Sequence, residues 1–104
     1  MSKRREMKEI VNLMVIALRH KIGAKVDPTA QYAKKYLNEA ETAISHAKEI
    51  AISLHLNKED KKELEDGIRK KLQKELETRT YIPQEKFSLM EQEITSALTV
   101  LNLS

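Results

Sequence analysis

Side chains able to do chemistry are few in this 104-residue chain: three histidines, no cysteine, six serines and a scatter of carboxylates. His46 and His55 are nine residues apart, which on a helix at 100° per residue puts them on opposite sides, so they cannot share an ion. Neither Glu39 nor Glu41 stands three residues before His46, the spacing that carboxylate-bridged metal bundles use. His20 follows Arg19 and is predicted to sit near a helix C-terminus, facing the negative end of its dipole. Ser2, Ser45, Ser53, Ser88, Ser96 and Ser104 occupy no nucleophile-elbow pattern, and two glycines are too few for a phosphate-cradling loop. The residues therefore predict no metal, no cofactor, no bound nucleotide and no catalysis.

What remains is charge. Lys and Arg number 19 against 16 Asp and Glu, a formal net charge of +3. Seven cations against two glutamates leave +5 in residues 1–26, and so −2 in the remainder of that +3 total. Lys3, Arg4, Arg5 and Lys8 form a basic N-terminal arm; Arg19, Lys21 and Lys25 follow at the other end of the same predicted helix. Arg69, Lys70, Lys71 and Lys74 make a second cluster. Cations so grouped can neutralise phosphates without reading sequence, and RNA or DNA is one candidate partner. The bland alternative is a solvated helical face. Aromatics that could stack on bases are only Tyr32, Tyr36, Tyr81 and Phe87, and the first two better suit the border of an apolar seam.

The elements that carry these residues read as helices throughout, an all-α single domain over residues 1–104. Helix one is predicted over about 3–22, capped by Ser2 and stopped by a left-handed Gly23. Its apolar sector holds Met7, Ile10, Val11, Met14, Val15, Ala17, Leu18 and Ile22, with Leu13 and Ile16 outside it. Asp27-Pro28 opens helix two, about 28–56, whose seam runs through Ala40 and Ala47 with Tyr36, Leu37 and Ile44 beside them. At ~43 Å it would overhang its partners. Asn57 and Asp60 have capping-box spacing for helix three, about 58–79, where Leu64, Ile68, Leu72 and Leu76 form one narrow ridge and Gly67 weakens the middle. This helix is predicted to be the least buried. Ile82-Pro83 starts helix four, about 83–101, with Phe87, Met90, Ile94, Ala97, Leu98 and Leu101 on one face and Leu89, Val100 and Leu103 off it.

Short connections predict antiparallel neighbours, either an antiparallel four-helix bundle or extended helical hairpins with helix two as the long central element. The small residues Ala40 and Ala47, with the off-face Leu13, Ile16, Leu89 and Val100, predict an interface: a homo-oligomer or a helical protein partner joined by apolar burial. A non-enzymatic assembly module is thus the first expectation, and nucleic-acid binding through the basic clusters the second. No apolar run approaches the ~20 residues that span a bilayer, no signal peptide is expected, and the lack of cysteine suits a reducing, cytoplasmic setting.

Overall fold

The computed structural model describes residues 3–26, 31, 33–78 and 85–100, the side chains of Val26, Glu85 to Phe87 and Val100 apart. The chain is all-helical: α1 (Lys3–Val26), α2 (Ala33–Ser53), α3 (Lys58–Glu77) and α4 (Glu85–Val100). No helix is long and apolar enough, among the described residues, to cross a membrane. The predicted Ser2 cap, the Asp27-Pro28 and Ile82-Pro83 starts, and the packing assigned to Tyr32, Tyr81, Phe87, Leu101 and Leu103 lie outside the described residues or side chains.

Helix α1, not α2, is the centre. It packs against all three others, and α3 also packs against α4. Its apolar arc supplies Met7, Ile10, Met14, Val15, Ala17, Leu18 and Ile22 to the core, all buried. Gly23 does not end it. The helix continues to Val26 and no glycine has positive φ among the described residues. Two contacts beyond Gly23 hold the extra turn: Ala24 is buried, and Lys25 pairs with Glu93 of α4. Together they offset the ~1 kcal/mol a helical glycine costs.

Helix α2 is shorter than its periodicity predicted and ends at Ser53. Its 21 residues span about 31 Å at ~1.5 Å each, against the ~43 Å expected. Ala33, Ala40, Ala47 and Ala51 are buried; their small side chains bring its axis close to α1. The two run antiparallel, because His20 meets Tyr36 and Glu39 while Leu13 shares a shallow groove with Ala43 and His46. Leu37, predicted on the seam, is 42% exposed.

The chain leaves α2 through a left-handed residue, but that residue is His55, at φ 50°, and not a glycine. Asn57 then caps α3 with both bonds of a capping box: its Oδ1 accepts from the Asp60 N–H (2.8 Å), and its own N–H donates to Asp60 Oδ2 (3.1 Å).

Helix α3 overturns the expectation of a marginal cover. Leu64, Ile68, Leu72 and Leu76 are all essentially inaccessible to solvent. Four such side chains contribute roughly 8 kcal/mol gross at ~2 kcal/mol each, several times the helix cost of Gly67. Gly67 itself explains why so narrow a ridge suffices. A Cβ there would stand 3.3 Å from Val11 Cγ2, so the missing side chain lets α1 and α3 approach closely.

Candidate functional site: the groove between α1 and α3

Three polar contacts fix how α1 and α3 lie together. Lys3 pairs with Asp60, Lys71 donates to Asn12 Oδ1, and Arg19 Nη1 donates to Glu75 Oε2 (3.4 Å). Residue numbers rise together on both helices, so the two are parallel. The basic arm at the start of α1 is thereby laid beside the basic cluster of α3. Between them runs a cleft of about 560 Å³ with Arg4, Lys8 and Asn12 on one bank and Glu63 and Lys71 on the other, over an apolar floor of Met7, Val11 and Leu64. A second cleft lined by Lys70, Lys71, Lys74, Glu75 and Thr78 shares Gly67 and Lys71 with it and so adjoins it.

Not every predicted cation belongs to it. Lys21 and Lys25 turn the other way and grip Glu93, Lys21 at 3.7 Å, on the α1–α4 side. Arg69 faces α4, where Nε and Nη2 donate to the two carboxylate oxygens of Glu91 (3.1 and 3.3 Å), with Glu65 of its own helix 3.6 Å away. That fork, Glu91 foremost, raises the Arg69 pKa further above its ordinary range. Arg5 is exposed and is not among the lining residues. Lys3 lines the groove but is engaged by Asp60, whose carboxyl it holds below the usual carboxylate range, helped by the Asn57 N–H. Arg19 is spent on Glu75. Arg4, Lys8, Lys70, Lys71 and Lys74 therefore form the site, all five exposed, and among the described residues only Lys71 of these hydrogen-bonds another side chain, that of the neutral Asn12.

The residues predicted to form an apolar interface are distributed differently. Ala40 and Ala47 are wholly buried against the rest of the chain, so α1 already occupies the surface they were expected to offer. Leu13 and Leu89 are half-buried against the core, and only Ile16, at 41%, is exposed; the side chain of Val100 lies outside the description.

His20 is not at a helix end. Its Nδ1 donates to the Ile16 carbonyl (2.7 Å), Nε2 lies 3.3 Å from Glu39, and the ring meets Tyr36 edge-on with centroids 4.7 Å apart. It fastens α1 to α2. Glu39 and His46 do border one shallow groove, yet both are exposed. Among the described residues no three His, Asp or Glu side chains gather as metal ligands.

Sequence reasoning missed Glu93, buried to 3% accessibility. The signal was present: Glu93 falls three residues after Met90 and four before Ala97, inside the apolar stripe of α4, as Lys21 and Lys25 fall inside that of α1. Charges embedded in two apolar arcs mark a contact between those two helices. The chain matches no protein-family model, and no curated protein or solved structure is similar enough to count as a match.

Proposed function

We propose that this chain is a non-enzymatic binding module that holds nucleic acid, RNA or DNA, without sequence preference along the α1–α3 face. One observation carries the reading: basic clusters some sixty residues apart in sequence border a single groove, while the neighbouring cations Lys21, Lys25 and Arg69 are neutralised by glutamates elsewhere. Lysines left exposed along one line raise the local potential, and released counterions supply the affinity. The reading includes a cytoplasmic setting, supported by the absence of cysteine. Fluorescence anisotropy with labelled RNA and DNA at ~50 mM salt tests it, since a phosphate-binding surface is strongest there. No binding to either nucleic acid refutes it.

Self-association has one supporting observation, the exposed Ile16 beside half-buried Leu13. One such side chain offers only roughly a tenth of the ~800 Å² per partner that a stable interface buries. Sedimentation at micromolar concentration decides: a dimer abolished by Ile16→Glu favours this second reading, and a monomer indifferent to it disposes of it.

A further inference from the structure

We infer that the nucleic acid taken by the α1–α3 groove is double-stranded, with the phosphates of one strand lying along the line from Arg4 and Lys8 to Lys70, Lys71 and Lys74. This rests on the binding reading above and narrows it. Two features select a duplex over a single strand.

Among the described residues the groove has no stacking platform. Single-strand binders gain much of their affinity from bases laid on aromatic rings. Among the described residues the lining contains no aromatic side chain, and Tyr36 is on α2 with its ring against His20. The floor of Met7, Val11 and Leu64 offers no aromatic face to a base.

The cations are carried on two packed helices. With Lys3 beside Asp60 and Arg19 beside Glu75, Arg4 lies level with about residue 61 of α3, so the row to Lys74 covers about 13 residues, or ~20 Å. Two packed helices hold the row's backbone in place before any ligand arrives. A stiff duplex matches such a row at little entropic cost, whereas a flexible strand must be ordered on it. A duplex also presents twice the charge per length of axis.

Among the described residues Glu63 is the lining acid with no ion pair, since Asp60 is held by Lys3 and Glu75 by Arg19. It stands beside the Arg4 and Lys8 end and repels a phosphate there.

The test uses the whole chain, a ~20-base-pair DNA duplex, the same sequence as duplex RNA, and each strand alone, titrated from ~50 to ~200 mM salt. Five phosphate contacts give a log–log slope near −4.5 on a duplex, about a 500-fold loss over that range, against about −3.5 on a single strand. The expected result is tighter duplex binding at every salt, with a slope near −4.5 that falls to about −2 in Lys70→Gln/Lys71→Gln/Lys74→Gln. Glu63→Gln is expected to tighten duplex binding several-fold, which loss of folding cannot do. These positions are exposed, and an unchanged circular dichroism spectrum checks that the triple variant folds. Single strands binding as tightly as duplex, with the triple variant still impaired, overturn the duplex inference and leave the wider reading standing. Binding unaffected by the triple variant or by Glu63→Gln removes the site from this groove, and no binding at ~50 mM salt overturns both.

Discussion

The two glycines share a residue type and a helical backbone but not an environment, and replacing each by alanine should give opposite results. Gly23 lies in the last turn but one of α1, and a Cβ built there meets nothing within 4 Å. Only helix propensity changes, so Gly23→Ala should stabilise the fold by about 1 kcal/mol, raising Tm by roughly 4–8 °C for a domain of this size. At Gly67 the same gain is opposed by Val11, whose Cγ2 and Cγ1 would be 3.3 and 3.8 Å from the new carbon. A helical valine has essentially one rotamer and cannot swing aside, so α1 and α3 must separate slightly. Overpacking of this kind costs about 1–3 kcal/mol, which leaves Gly67→Ala between neutral and about 2 kcal/mol destabilising. The contact itself can be isolated. In a Val11→Ala background the obstruction is gone, and Gly67→Ala should become stabilising by about 1 kcal/mol, as at Gly23. Urea unfolding followed by circular dichroism at 222 nm measures all five proteins. Equal stabilisation by Gly23→Ala and Gly67→Ala, or a Gly67→Ala effect identical with and without Val11, refutes close approach as the reason for that glycine.

His55 at φ 50° occupies a conformation that an L side chain pays to adopt, so His55→Gly should stabilise by about 0.5–1 kcal/mol in the same unfolding assay, net of the entropy glycine adds to the unfolded chain. Asp60 titrates below its ordinary 3.8 because Lys3, and then the Asn57 N–H, favour its carboxylate. As pH falls the unfolded chain takes up this proton first; the contribution is whole above pH ~4 and is lost as pH drops through the depressed native value. Acid unfolding of Asp60→Asn should accordingly show a shallower stability loss below pH ~4 than the parent protein. Glu93 offers a test of asymmetry. Glu93→Leu should be within about 1 kcal/mol of neutral, because the two lysines are partly exposed and can turn to water, whereas Lys21→Met/Lys25→Met strands a buried carboxylate and should cost about 3–5 kcal/mol. Comparable losses from the two changes, read by thermal unfolding, contradict that account.

Much of the secondary structure was legible because its causes are local. Periodic apolar residues marked the buried faces of α1, α3 and α4, and Asn57 with Asp60 marked the start of α3 by a contact that closes within four residues. The basic residues of the groove were legible as two clusters. That they make one surface was not, because Lys8 and Lys71 line one cleft only when α1 and α3 lie parallel in a register set by Lys3–Asp60, Asn12–Lys71 and Arg19–Glu75, contacts between residues more than fifty positions apart.

The amino-acid sequence by itself determined the helical class, the buried stripes and the cap of α3, since each follows from spacing along one helix. Only the tertiary structure decided which helix is central, because an arc of apolar residues does not say how many partners will share it. It decided the end of α1, where Ala24 and Lys25 draw the helix past a glycine that would otherwise stop it. It decided that Ala40 and Ala47 are buried with α1 as the packed neighbour of their helix, since a small-residue seam does not say which helix will cover it. And it divided the cations into those spent on glutamates and those left along the groove, a partition made entirely by what the other helices bring alongside.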